Sequence, residues 1–172
     1  MISYKERLNA VTTFIFDFDG IFTNGEVMLY NNDFLRTVDV KDSYAVQLAA
    51  KNDYKIFIIT GGSSEEVRTR MKELGVLEVY LRSSRKLEVY EGIKEKYNLV
   101  DEEILYMGDD IPDYPVLEKV GVSTCPQDAV VEIKQLVHYQ SPFDGGKRCV
   151  RDVIEQTMRL HGKWFKDGAY FW

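Results

Sequence analysis

Five stretches of the chain are short, apolar and rich in β-branched and aromatic residues: TFIFDF (13–18), KIFIIT (55–60), EVYLR (78–82), EILYMG (103–108) and GVSTC (121–125). Continuous apolar runs of this length suit strands covered on both faces, as in a parallel sheet. Helical patterns separate them. SSEEVRTRMKELG (63–75) opens with a capping-box pair, Ser63 and Glu66, and closes on Gly75 as a C-cap. KLEVYEGIKEKYN (86–98), YPVLEKVG (114–121) and GKRCVRDVIEQTMRLHG (146–162) continue the alternation. The pattern predicts an α/β fold: a three-layer sandwich with a central parallel sheet and right-handed crossovers, forming a single domain over residues 1–172.

One segment departs from that rhythm. EVMLYNNDFLRTVDV (26–40) alternates apolar and polar residues around Asn31-Asn32-Asp33, the signature of a β-hairpin. It follows the first strand directly. Ligands of open parallel sheets bind beyond the carboxyl ends of the strands, so the hairpin is expected to overhang a site there as a flap.

Composition narrows the function classes. With 45% hydrophobic and 29% charged residues, the 172-residue chain reads as an ordinary globular domain. Its net charge of −6 supplies no basic surplus for a nucleic-acid partner. No apolar run approaches the roughly 20 residues that span a bilayer, so no membrane partner is expected. MISYKERLNAV carries charges where a secretory signal needs an apolar core, which gives a cytoplasmic reading. Cys125 and Cys149 are expected to stay reduced, with Cys125 in the core. His138 and His161 read as surface residues. The aromatic tail at 161–172, containing KWFKDGAYFW, either docks on a neighbouring subunit or frays.

The strand ends carry the chemistry. The first gives Asp17 and Asp19, the second Thr60-Gly61-Gly62, and the fourth GDDIPD with Asp109, Asp110 and Asp113; Lys86 starts the helix after the third. Two unpaired carboxylates about 4 Å apart repel by roughly 4 kcal/mol at an effective dielectric near 20. A cation must offset that repulsion. Hard carboxylate oxygens with one lysine suit Mg²⁺ and a phosphoryl group, with Lys86 as fixed charge and Thr60 as hydroxyl donor. Each motif alone has an ordinary structural reading, as a turn, a cap or a solvated charge. All four at successive strand ends favour the functional one. A phosphoacceptor receiver domain uses a similar residue set, but its accepting aspartate follows the third strand, where this chain has LRSSRK (81–86) without an acid.

The order Asp, Thr, Lys, Asp-Asp resembles the haloacid dehalogenase superfamily of phosphohydrolases over residues 13 to 160. Its DxDGxxTxG motif stands here as Asp17-Phe18-Asp19-Gly20-Ile21-Phe22-Thr23-Asn24-Gly25. Within the superfamily, TNG, VKDSYAVQLA, ITGGSSEEVRTRMKELG, GDDIPDYPVL and GGKRCVRDVIE are similar to stretches of the phosphatases acting on 3-deoxy-D-manno-octulosonate 8-phosphate. The resemblance implies that Asp17 attacks phosphorus and that Asp19 is the acid and base. It implies Mg²⁺ held by Asp17, the Asp19 carbonyl and Asp109, a phosphoryl group bound by Thr60 and Lys86, and Asp110 and Asp113 as supports. Thr23, Lys41, Asp42, Ser43, Gly61, Gly62, Arg70 and Arg151 fall where a sugar acid would lie.

Three departures from the family pattern bear on the substrate and leave the chemistry intact. Gly62 replaces an arginine, Ser43 a glycine, and Arg148, Cys149 and Asp152 alter the tail motif. A nine-carbon sugar acid 9-phosphate stays open as substrate, as does a non-catalytic oligomerisation module. The gaps between Asp19 and Thr60 and between Thr60 and Lys86 are too short for a folded cap, so a capless protein closing its site through a homo-oligomer, a tetramer, is expected.

Overall fold

A computed structural model describes residues 2–30, 33–166 and 168–171. In chain order the elements are α1 (Tyr4–Arg7), β1 (Thr13–Phe16), β2 (Met28–Tyr30), β3 (Asp33–Leu35), α2 (Val40–Lys51), β4 (Lys55–Ile59), α3 (Glu65–Glu73) and β5 (Glu78–Tyr80). They continue as α4 (Lys86–Tyr97), β6 (Ile104–Met107), α5 (Tyr114–Leu117), β7 (Val122–Cys125), α6 (Val131–Leu136), β8 (Tyr139–Gln140) and α7 (Cys149–Leu160). Six strands form one parallel sheet in the order β5-β4-β1-β6-β7-β8. β1 therefore lies between β4 and β6, in register from Thr13 with Lys55 on one side and Ile104 on the other.

Alternation along the strands sorts the core into two layers. Phe14, Phe16, Ile56 and Ile58 face α2 and α7 through Val46, Ala49, Val150 and Val153. Ile15, Phe57, Ile59 and Tyr106 face α4, α5 and α6 through Tyr90, Ile93, Leu117 and Ile133. Both faces of β1 are fully buried, which is why its apolar run has no polar interruption. The three-layer sandwich is the fold the sequence pattern predicts, with the two-residue edge strand β8 added. Cys125 and Cys149 are both free and buried.

Three local expectations are corrected. The N-cap of α3 is Ser64, whose hydroxyl accepts from the Val67 backbone N–H at 3.3 Å, so the cap sits one residue later than Ser63. The helix does end on Gly75 (φ +94°): the Gly75 and Val76 N–H groups return to the Lys72 and Met71 carbonyls, a Schellman closure. His161 is half-buried and stacks on Tyr54; its Nδ1 lies 2.5 Å from the Tyr54 hydroxyl and its Nε2 reaches the Leu8 carbonyl. The tail folds back on its own chain. Trp164 packs edge-on against Tyr44 and beneath the guanidinium groups of Arg151 and Arg159, while the Tyr44 hydroxyl donates to the Ala169 carbonyl.

β2 and β3 pair antiparallel, Met28 with Leu35 and Leu29 with Phe34. The Asn31-Asn32 turn lies outside the described residues. Val27, Met28, Leu29, Phe34 and Leu35 are exposed.

Candidate active site

At the carboxyl end of β1 the chain leaves the ladder and turns on Gly20, whose φ is +82°. A Cβ there would stand 2.1 Å from Asp109 Oδ2, so only glycine lets the loop after β6 close against the loop after β1. Because β4 and β6 flank β1, Thr60 and Asp109 arrive beside Asp17 from either side. They line one cleft of about 450 Å³ with Asp19, Gly61, Gly62, Lys86, Asp110 and Asp113.

Asp113 is the hub of that cleft. It is fully buried, and its Oδ1 accepts from Lys86 Nζ at 2.8 Å and from the Tyr106 hydroxyl at 2.5 Å. Its Oδ2 accepts from the backbone N–H groups of Asp109 (3.2 Å) and Asp110 (3.4 Å). Lys86 in turn pairs with Asp17 Oδ2 at 2.8 Å, and Asp17 Oδ1 accepts from the Phe18 N–H. Burial opposes the charge on Lys86, but Asp113 and Asp17 outweigh it and hold its pKa above the usual lysine value. Burial, reinforced by the Asp113 charge, raises Asp17 despite Lys86. Asp109 is pushed up to about 8, by burial first and then by Asp17 and Asp113.

Three carboxylates facing one lysine leave the cleft short of positive charge. Oxygens of Asp17, Asp109 and Asp113 lie within 4.8 Å of one another, and Asp109 Oδ1 is buried with no hydrogen-bond partner among the described residues. A buried carboxylate oxygen without a donor is costly. A divalent ion at Asp109 and Asp17 would answer that cost, while the oxygens of Asp113 already accept from four donors. This donor set fits a hard, oxygen-ligated metal.

Thr60 is buried and lines the cleft, and its Oγ1 accepts from the Gly62 N–H at 3.0 Å. Other residues singled out in the sequence stand elsewhere. Thr23 clasps its own loop, accepting from the N–H groups of Gly20 and Gly25. Asp42 is buried and caps α7 through the N–H groups of Arg148 and Arg151, at 3.2 and 2.7 Å. Ser43 is also buried, bonded to the Asp39 carbonyl, and Lys41 is exposed. Arg151 pairs with Glu155, and Arg70 with Glu73 beside a separate groove. Two lining residues, Ser83 and Ser84, escaped sequence reasoning although LRSSRK (81–86) contains them. So did Arg36, whose guanidinium grips Asp19.

The relatives of the chain bring the geometry and its history together. Residues 72–145 match the family model of the haloacid dehalogenase-like hydrolases. The 3-deoxy-D-manno-octulosonate 8-phosphate phosphatase KdsC of Escherichia coli K12 is 32% identical over 91% of this chain and 84% of its own. The chain belongs to the haloacid dehalogenase superfamily of phosphatases. Among solved structures, the 3-deoxy-D-manno-octulosonate 8-phosphate phosphatase of Yersinia pestis superposes with a TM-score of 0.90 at 28% identity, covering 93% of this chain and 87% of that one. The corresponding Moraxella catarrhalis enzyme, in complex with magnesium, phosphate and KDO, gives 0.88 at 25% identity, with 91% of each chain covered. As a phosphatase of this superfamily, the protein has its cleft at the strand ends where the sheet topology brings β1, β4 and β6 together.

Proposed function

We propose that the protein hydrolyses the phosphomonoester of a 2-keto-3-deoxy sugar acid, 3-deoxy-D-manno-octulosonate 8-phosphate, with Mg²⁺ as cofactor. The observation that carries the catalytic part is the partnerless buried Asp109 Oδ1 beside the Lys86-paired Asp17. The substrate part rests on the E. coli and Yersinia relatives and on the Moraxella complex. Asp17, the Asp19 carbonyl and Asp109 would hold the ion, which supplies positive charge for the phosphoryl oxygens.

Asp17 attacks phosphorus, the bond to the sugar oxygen breaks, and Asp19 protonates that oxygen as it leaves. Asp19 then takes a proton from water, whose oxygen displaces Asp17 and releases phosphate. Lys86 and the Thr60 hydroxyl neutralise and orient the transferring group, and Asp113 holds Lys86 in place. A capless cleft needs a lid from outside. The exposed apolar side chains of the 26–40 hairpin supply the contact surface for a homotetramer that would provide one.

Phosphate release with Mg²⁺ over a panel of sugar phosphates, with the eight- and nine-carbon 2-keto acid phosphates included, tests the reading. Asp17→Asn should abolish release by several powers of ten while the protein stays folded. Survival of activity in that variant, or full activity in EDTA, refutes the mechanism. Preference for a phosphate without a keto acid end refutes the substrate.

A further inference from the structure

Just beyond β3, Arg36 turns its guanidinium back onto Asp19, with Nε 2.6 Å from Oδ1 and Nη2 3.3 Å from Oδ2. Each carboxylate oxygen accepts one hydrogen bond of this fork. The pair is sheltered, the arginine side chain being 15% exposed and the aspartate 35%. A residue that must meet a leaving oxygen, and later a water, is here held by the fork in an orientation set by the arginine.

Arg36 also stands between the cleft and a second groove. A Cβ on Gly62, which lines the cleft, would lie 3.8 Å from Arg36 Nη2 and 3.5 Å from Asp19 Oδ2. The same arginine lines the adjoining groove of about 250 Å³, with Phe18, Phe34, Val67 and Arg70. Gly61 and Gly62 line the cleft without side chains, and among the described residues a Cβ on Gly61 would meet nothing within 4 Å. A leaving group longer than the phosphate it carries would come within reach of Arg36 on the Gly62 side of the cleft.

We propose that Arg36 is a substrate-released latch on Asp19. A carboxylate at the remote end of the leaving group draws the guanidinium into the groove and thereby frees the Asp19 oxygens for the reaction. The inference rests on the reading of the substrate as a sugar acid phosphate. Exchanging one forked carboxylate partner for another conserves the two charge-assisted hydrogen bonds. A substrate with a neutral end must break the Arg36–Asp19 fork without replacement, a handicap of roughly ten- to hundredfold for one charged hydrogen bond. Selection thus acts on the availability of Asp19 as well as on binding, and Arg36 is a positioning residue.

The test compares wild type, Arg36→Gln and Arg36→Lys, with Mg²⁺, on 3-deoxy-D-manno-octulosonate 8-phosphate and on arabinose 5-phosphate, a primary phosphate without a carboxylate. Arg36→Gln should lose about ten- to hundredfold in kcat/KM on the acid. It should gain in kcat on the pentose phosphate, so that the preference collapses from both ends. Arg36→Lys, which keeps the charge and loses the fork, should fall between. Parallel losses on both substrates, as a structural role would give, overturn the latch. A wild-type preference that Arg36→Gln retains overturns the latch alone. A wild type without preference for the acid brings down the substrate reading and the latch with it.

Discussion

Lys86→Met isolates what the buried charge cluster contributes to the fold. The lysine ammonium lies 2.8 Å from Asp17 Oδ2 and 2.8 Å from Asp113 Oδ1, and its side chain is 6% exposed. At an effective dielectric near 20, each contact is worth roughly 6 kcal/mol of Coulomb energy, much of it offset by the desolvation of three charges. Removing the shared cation leaves two buried carboxylates facing each other, and breaking a buried pair from one side costs about 3–5 kcal/mol. At about 2–4 °C per kcal/mol for a domain of this size, Tm should fall by about 6–20 °C. The assay is thermal unfolding followed by circular dichroism in EDTA, which keeps metal from masking the effect. Adding Asp113→Asn to Lys86→Met removes one orphaned charge and should recover part of the loss, a non-additivity that a cycle of four proteins measures directly. A shift below about 3 °C, or a double variant less stable than the sum of the two singles, refutes the account of Asp113 and Lys86 as a mutually compensating pair.

Gly145→Ala should destabilise the protein and lower phosphatase activity together, because its Cβ would stand 1.9 Å from the Gly20 carbonyl oxygen and force the loop after β1 away from Asp109; unchanged melting and kinetics would count against that packing. His138 accepts from the Ser123 N–H at Nδ1, and burial holds its pKa below the usual 6.5. Its folded pKa lies below the unfolded one, so the stability it contributes is present above about pH 6.5 and is lost as pH falls through the lowered value. Tm should therefore drop more between pH 7 and 5 in wild type than in His138→Asn, and identical slopes would contradict the assignment.

The sheet was legible because both faces of its central strands are buried, and burial on two sides writes an uninterrupted apolar run. The strand ends that meet in the cleft were legible for a related reason: Asp17, Thr60 and Asp109 are polar residues placed abruptly after such runs, where a parallel sheet leaves its strand ends open. What stayed hidden depends on tertiary contact. Arg36 sits in an irregular stretch after β3, and nothing in its local spacing points to Asp19, its partner 17 positions earlier in the chain. Asp42 matches a family motif, yet its carboxylate is spent on the N-terminus of α7. His161 read as a surface residue because its partners, Tyr54 and Leu8, come from distant segments. The aromatic tail gave no hint of its own anchor, since the Tyr44 and Trp164 contact joins α2 to residues beyond α7.

The position of β1 in the sheet also governs how the protein is made. Thr13 pairs with Lys55 on one side and with Ile104 on the other, so the strand that is synthesised first acquires its second neighbour only after most of the chain exists. Non-local parallel pairing of this kind is slow, because the intervening loops must close before the contacts that reward closure form. On the ribosome, TFIF would wait as an apolar segment with at least one edge unpaired, the situation in which nascent chains aggregate or recruit chaperones. The arrangement that seats Asp17 between two strand ends also leaves its strand waiting for its second neighbour during synthesis. A slowly emerging chain truncated before residue 104 should therefore be sticky and inactive, and the last part of translation should convert it.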